Sequence, residues 1–346
     1  MSSPASFSVK LEPAGHQFSA QADTSVLQSA LDAELIMPYG CKDGACGACK
    51  ARVLSGEVDH GRSPANTLPQ AERDQGMALM CCARPLSDLT VECREVRRST
   101  DIPVRKLPCR VQSLSKAAPD VMVVSLKLPA NDPFRFLAGQ YVDFLLPGGR
   151  RRSFSLANPP QQSEAIELHI RHVPGGFFTE QVFGTMKERD ILRIEGPLGG
   201  FYLRESDKPI VFLAGGTGFA PIKSIIEDMI ARGIRRPMHL YWGARTLDGL
   251  YQHELATRWA SDAGIDLHYV PVLSDAPADS WSGRSGLVHQ AVIADLPDLS
   301  AFEVYACGAP AMIDAARQDF VTQCRLSADA FFADAFTFSA DNTQST

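Results

Sequence analysis

Gly40-Cys41-Lys42-Asp43-Gly44-Ala45-Cys46-Gly47-Ala48-Cys49 sets three cysteines in C-x4-C-x2-C spacing, and two more follow at Cys81 and Cys82. This spacing lets four thiolates hold a [2Fe-2S] cluster. Gly40, Gly44, Ala45, Gly47 and Ala48 leave the loop almost without side-chain bulk, so backbone N–H groups can approach bridging sulfides and stabilise the negative charge there. A zinc site has no use for so stripped a loop and usually builds on paired C-x2-C knuckles. Cys41, Cys46 and Cys49 are therefore three of the expected ligands. Spacing alone leaves the fourth open between Cys81 and Cys82.

Beyond this loop the chain runs to 346 residues, more than one hydrophobic core usually holds, and at roughly 150 residues per domain two or three domains are expected. With 45% hydrophobic and 21% charged residues it is an ordinary globular chain, which excludes disordered, collagenous and coiled-coil readings. A formal charge of −6, with no run of five like charges, argues against nucleic acid as a partner. The longest apolar runs, such as Ile210 to Ala214, fall far short of the ~20 residues of a membrane span. Met1 to Gln17 lacks the basic and then hydrophobic pattern of a secretory signal. Five of the nine cysteines crowd between Cys41 and Cys82, which points to metal-ligating thiolates in a reducing compartment, and a cytoplasmic location is expected.

Charge divides the chain into blocks. Lys and Arg against Asp and Glu number 9 against 12 up to Arg97, 15 against 11 from Arg98 to Glu205, and 10 against 17 from Ser206 onward. The stretch from Arg97 to Leu107 has no periodicity and contains a proline, as a linker would, and a second boundary falls near Glu205 to Pro209. In the first block a strand at Phe7 to Leu11 and a capping signal, Ser25-x-x-Gln28, ahead of a helix predict a small α+β unit around the cysteine loop. In the middle block Met122, Val124, Leu126 and Leu128 alternate with polar or opposite-facing residues. Ile166, Leu168 and Ile170 likewise alternate with Glu167, His169 and Arg171, predicting antiparallel β structure. The last block spaces short apolar runs (Ile210 to Ala214, Met238 to Trp242, Leu267 to Val272, Phe302 to Ala306) by helix-length segments, the pattern of a doubly wound parallel sheet. Asn342 to Thr346 read as a frayed tail.

Residues Phe7 to Glu95 resemble a plant-type ferredoxin domain of the kind fused to flavin reductases. The pattern Leu-x-Cys-x-Ala, matched by Leu79-Met80-Cys81-Cys82-Ala83, implies Cys81 as the fourth ligand and leaves Cys82 as a small filler. Cys93, Cys109 and Cys324 carry no motif and read as core residues. Arg152-Ser153-Phe154-Ser155 resembles the Arg-x-Tyr-Ser/Thr signature of the ferredoxin-NAD(P) reductase superfamily, with Phe154 in place of tyrosine. The resemblance implies that Arg152 meets the FAD pyrophosphate, Phe154 lies along the flavin and Ser155 reaches its N5 edge. The missing phenol removes one hydrogen bond, worth about 1 kcal/mol net. Further on, His169-Ile170-Arg171-His172-Val173-Pro174-Gly175-Gly176-Phe177-Phe178-Thr179 resembles the second flavin segment. There the backbone of His169 and Ile170 lines the flavin, and a turn through Gly175, Gly176, Phe177 and Thr179 offers N–H groups and a hydroxyl to phosphate.

Gly216-Thr217-Gly218-Phe219-Ala220-Pro221 follows an apolar run and reads G-x-G-x-x-P, a variant of the dinucleotide loop in which Pro221 suits a first helical position. Gly243, in Tyr241-Trp242-Gly243-Ala244-Arg245, and Cys307-Gly308, in Tyr305-Ala306-Cys307-Gly308-Ala309-Pro310-Ala311-Met312, end later strands, where open α/β sheets bind ligands. The resemblance sets Cys307 beside the nicotinamide, Phe336 over the flavin and Asp334 near N5. Ser274-Asp275 occupies the loop where NADP-dependent relatives carry a basic residue, so NADH is the expected nucleotide.

The resemblance implies three domains: a β-grasp [2Fe-2S] ferredoxin over 1–97, an antiparallel β-barrel binding FAD over 104–205, and a doubly wound α/β domain binding NAD over 206–339. It also implies an enzyme that takes hydride from NADH to FAD and passes single electrons through the cluster to a partner protein. Tyr39 to Gly44, Phe212 to Ser224 and Val288 to Val292 carry a likeness to the CDP-6-deoxy-glucoseen reductase-like branch, which serves deoxysugar dehydrases. Reductases of Rieske-type and other aromatic-ring oxygenases share the same domains and are the alternative.

Overall fold

A computed structural model describes residues 5–93, 96–98, 102–130, 134–162, 164–276 and 281–336, and it divides into two compact units. The tail from Asn342 and the last three residues of the expected nucleotide domain, 337–339, lie outside the described residues.

The first unit holds the chain up to Pro103 together with Gly199–Phe201 and Ala333–Ala335. Its sheet contains β1 (Ser6–Pro13), β2 (His16–Gln21), β3 (Lys50–Ser55), β4 (Met77–Leu79) and β5 (Leu89–Cys93) in the order β2-β1-β5-β3-β4. β1 runs parallel to β5 and antiparallel to β2, the mixed pairing of a β-grasp. The capping signal is realised: Ser25 precedes α1 (Val26–Asp32), and its hydroxyl accepts from the N–H of Gln28 at 3.2 Å. Val9, Leu11, Val26, Ala30, Leu79 and Val91 form the core beneath the cysteine loop.

The second unit holds the rest. Its first half is the antiparallel sheet β6 (Arg105–Ala118), β7 (Val121–Lys127), β8 (Tyr141–Leu145), β9 (Arg151–Ser155), β10 (Ala165–Arg171) and β11 (Ile191–Leu198), ordered β9-β8-β11-β6-β7-β10. A bridge from Leu156, just past β9, to Leu168 in β10 closes the sheet into a barrel. Ile166, Leu168 and Ile170 point into its core with Val124, Leu126 and Phe144, as the alternation predicts. One residue of the opposite face departs from expectation: the His169 side chain is fully enclosed. α2 (Phe177–Gly184) caps this half.

The second half is a sheet of β12 (Ile210–Gly215), β13 (Met238–Ala244), β14 (Leu267–Leu273), β15 (Arg284–Ser285), β16 (Glu303–Gly308) and the start of β17 (Phe331–Ala335). Its order is β15-β14-β13-β12-β16-β17, with parallel pairings from β15 through β16. α3 (Phe219–Arg232) follows β12, buries Ile222, Ile225, Ile226 and Met229 at helical spacing, and ends on Gly233 in the left-handed conformation. Pro221 is the third helical residue, because a short 3-10 turn over Gly216–Gly218 leads directly into Phe219. Its missing N–H still falls in the first turn, where no intrahelical partner exists. α4 (His253–Ser261), α5 (Val288–Asp295) and α6 (Pro310–Gln323) complete the layers.

Candidate functional site

Cys41, Cys46, Cys49 and Cys81 are brought together on one loop system of the first unit. The thiols of Cys41 and Cys46 lie 3.2 Å apart, while the N–H of Cys81 points at the Cys49 sulfur at 3.5 Å. Among the described residues no three metal-ligating side chains converge on one point. The thiols stand instead as two pairs, the donor arrangement that a two-iron cluster takes up. Amides of Cys41 and Ala48 point at the Cys46 sulfur at 3.3 and 3.4 Å, and that of Cys46 at the Cys41 sulfur at 3.2 Å. Backbone amides directed at these sulfurs favour the thiolate form that a cluster ligand takes. The residues present fit the cluster.

Bulk is excluded at two positions of this loop. A Cβ on Gly44 would meet the Cys82 sulfur at 2.9 Å, so Cys82 packs against the loop. At Gly40 a Cβ would lie 2.6 Å from Oδ1 of Asp334 and 3.2 Å from the Cys46 sulfur. Asp334, expected beside the flavin N5, thus has its carboxyl against the cysteine loop. Burial lifts that carboxyl to about 8, with the Cys46 thiol adding to the rise.

In the barrel half Ser155 ends β9 and is buried, paired in register with Tyr141, while Arg152 and Phe154 are half-buried on the same strand. The Phe154 ring meets Phe144 and Phe178 at centroid distances of 5.8 and 5.5 Å, so its packing survives the loss of the phenol. Gly176 precedes α2, and Arg150 stacks its guanidinium on Phe177 at 3.7 Å. The Thr179 hydroxyl donates to the Val173 carbonyl at 3.0 Å and accepts from the Val173 N–H at 3.1 Å, which folds the Gly175–Gly176 turn. Thr179 therefore shapes the turn, and an anion there would meet helix N–H groups. Ile170 is in the barrel core.

Close approach defines the nucleotide loop. A Cβ on Gly218 would fall 2.1 Å from the Cys307 carbonyl oxygen, and one on Gly215 would fall 2.7 Å from the Met312 sulfur. Gly216 has φ +53° and Gly308 φ +153°, and the N–H of Phe336 donates to the Gly308 carbonyl at 2.8 Å. Gly216, Thr217, Gly218, Cys307, Gly308 and Phe336 thus form one locale at the carboxyl edge of the sheet, with α3 starting from it. Gly243 ends β13, where a Cβ would strike Val288 at 2.8 Å. Cys307 is fully buried, which suits a residue that shapes the pocket. At the ends of β13 and β14, Asp275 accepts from Nε and Nη2 of Arg245 at 3.0 and 2.9 Å.

Motif reading does not reach Tyr251, Lys223 or the side chains of Glu167, His169 and Arg171. Tyr251 lies just before α4 in a stretch with no recognisable spacing, and Lys223 reads from sequence as an ordinary helical lysine. The alternation of β10 was the one available signal, since it puts Glu167, His169 and Arg171 on a single face.

Family models match in the same order along the chain: a 2Fe-2S iron-sulfur cluster binding domain over 9–86, an oxidoreductase FAD-binding domain over 108–202 and an oxidoreductase NAD-binding domain over 212–318. The arrangement is that of an iron-sulfur flavoprotein reductase. Over 332 residues the chain is 43% identical to the CDP-6-deoxy-L-threo-D-glycero-4-hexulose-3-dehydrase reductase of Yersinia pseudotuberculosis, covering 96% of this chain and 98% of that one. It is 37% identical to the reductase component DmpP of phenol 2-monooxygenase from a Pseudomonas species, covering 97% and 96%. The crystal structure of the Amycolatopsis cytochrome P450 reductase GcoB superposes with a TM-score of 0.75 at 36% identity, covering 96% of this chain and all of that one. The chain belongs to the ferredoxin-NAD(P) reductase superfamily, in the group that carries a fused [2Fe-2S] ferredoxin domain. It is an oxidoreductase whose cofactors are the cluster, FAD and NAD, and it passes reducing equivalents to a partner protein. Among the described residues no helix is long and apolar enough to cross a membrane.

Proposed function

We propose that this reductase takes electrons from NADH and delivers them to a dehydrase acting on a CDP-linked 6-deoxyhexulose. The observation that carries this reading is the 43% identity, over nearly the whole of both chains, to a reductase named for such a dehydrase, against 37% for the phenol monooxygenase component. Bound FAD supplies the exchange of a two-electron hydride for single electrons, which the cluster can carry one at a time.

This chain's residues do the holding and the aiming. Arg152 and the first turn of α2 receive the flavin pyrophosphate, with Gly175, Gly176 and Phe177 leaving the backbone accessible. Ser155 orients the N5 edge, Phe154 and the backbone of His169 and Ile170 line the ring, and Phe336 covers its face. Gly216, Thr217 and Gly218, with Pro221 in the first turn of α3, take the nucleotide phosphates, while Gly243, Cys307 and Gly308 shape the nicotinamide side. Ser274-Asp275, standing where NADP-dependent relatives carry a basic residue, favours NADH over NADPH. Asp334 stands near N5, with its carboxyl against Gly40 of the cysteine loop. The domains divide at 1–97, 104–205 and 206–339. The clustering of five cysteines between Cys41 and Cys82, as metal-ligating thiolates and not a disulfide framework, supports a cytoplasmic setting.

Reconstitution tests the reading. Holoprotein and NADH, mixed with a CDP-6-deoxyhexulose 3-dehydrase and its substrate, should give the reduced deoxysugar at a rate that depends on reductase concentration. Failure there, with efficient support of an aromatic oxygenase in a parallel assay, would contradict it.

A further inference from the structure

Glu167, His169 and Arg171 alternate with core residues along β10, and the polar face they form is covered by the second half of the same unit. Glu167 Oε1 meets Lys223 Nζ of α3 at 3.2 Å, and that ammonium also donates to the Ala157 carbonyl at 3.1 Å and to Glu227 at 3.0 Å. His169 is hydrogen-bonded through Nε2 to Glu167 at 2.9 Å and through Nδ1 to the Tyr251 hydroxyl at 2.8 Å. Arg171 lays its guanidinium over the glycine loop: a Cβ on Gly216 would be 2.8 Å from one of its nitrogens. Three successive residues of one strand face thus engage three parts of the nucleotide half.

The hydrogen-bond directions follow from chemistry. Despite burial, His169 and Lys223 together hold the Glu167 carboxyl at about 2, so Glu167 is an ionised acceptor. Burial keeps the imidazole of His169 neutral, its value pushed below the ordinary one. A neutral ring has one donor and one acceptor. Nε2–H must therefore donate to Glu167, which leaves Nδ1 to accept from the Tyr251 hydroxyl. Tyr251 is half-buried, and the burial of its phenol holds that group well above its usual value, so it stays a donor. Its ring stands edge-on to Trp242 at 5.3 Å, Trp242 stacks on Phe219 at 3.9 Å, and the Trp242 indole N–H donates to the Gly216 carbonyl at 2.9 Å. A continuous path of named contacts runs from Lys223 through Glu167, His169, Tyr251 and Trp242 to the glycine loop.

We propose that His169 and Tyr251 are positioning residues: through this seam of hydrogen bonds and ring contacts, the flavin half fixes the register of the Gly216–Gly218 loop and so the angle at which nicotinamide meets flavin. The inference rests on the assignment of that loop to NADH, which dye reduction by the wild-type holoprotein establishes before any variant is scored. Three substitutions separate hydrogen bonding from packing. Tyr251→Phe removes one oxygen, and His169→Leu removes both ring nitrogens, whereas His169→Gln keeps a donor for Glu167 and an acceptor for Tyr251.

Anaerobic stopped-flow reduction by NADH should slow about tenfold or more in Tyr251→Phe and His169→Leu, with KM changed by less than about threefold, because the loss falls on orientation and not on binding. His169→Gln should stay near wild type. A second readout is independent of turnover: the long-wavelength absorbance of nicotinamide stacked on oxidised flavin, titrated with a non-reducing nicotinamide nucleotide. It should weaken in the first two variants and persist in the third, at equal FAD content. The proposal is overturned if Tyr251→Phe matches wild type in both rate and band, or if His169→Gln is as impaired as His169→Leu while both hold FAD. Should His169→Leu fail to fold, Tyr251→Phe alone decides.

Discussion

A cluster ligand needs surroundings that favour the thiolate, and two backbone amides, those of Cys41 and Ala48, are directed at the Cys46 sulfur. The spacing of the cysteines was legible in the sequence because ligand geometry is written in local order, and the stripped loop told the same story. What the sequence did not disclose was that Asp334, singled out for another place and some 290 positions away, sets its carboxyl in the space that Gly40 leaves open. Only chain tracing in three dimensions brings such residues together. At this scale the account predicts that Cys46→Ser abolishes electron delivery to one-electron protein acceptors and removes the visible absorbance of the cluster. NADH oxidation by small dyes should stay largely intact, since dyes can draw electrons from FAD. Equal loss of both activities in folded, flavin-loaded protein would contradict the order of carriers.

Strand β10 shows how far an element's pattern can be read. Its alternation correctly placed Ile166, Leu168 and Ile170 in the barrel core, but a polar face says nothing of what will cover it. Here the cover is α3 and the segment before α4, so the charges of Glu167 and Lys223 and the ring of His169 serve a buried seam. The start of α3 was similarly half legible: the glycine loop announced the helix, yet the 3-10 turn that feeds it moved Pro221 from first to third place. The seam carries a pH dependence whose sign is fixed. Glu167 has a folded value of about 2, below the usual 4.5, so its contribution to stability is fully present above about pH 4.5 and is lost as the pH falls toward 2. Glu167→Gln should therefore be less stable at neutral pH and show a flatter loss of stability across that acid window, followed by tryptophan fluorescence and chemical unfolding at each pH. An acid limb identical to wild type would show that the carboxylate is not held in this way.

Across the whole molecule, the division of labour follows the division of the chain. One unit carries the four thiols on a mixed sheet, and the other joins an antiparallel barrel to a parallel sheet whose carboxyl edge gathers the nucleotide loop, Cys307 and Phe336. Sequence blocks of differing charge and periodicity foretold these three folds, because each fold needs its own hydrophobic period. The acceptor of the electrons is the feature least written in the chain, since reductases named for a dehydrase and for an oxygenase both match it over nearly its whole length. The central claim, that reducing equivalents from NADH reach the cluster, does not depend on that acceptor. Anaerobic holoprotein carrying both FAD and the cluster, mixed with NADH and frozen for electron paramagnetic resonance, should develop the signal of a reduced [2Fe-2S] centre as the flavin absorbance bleaches. A flavin that bleaches fully while the cluster stays oxidised and silent would contradict it.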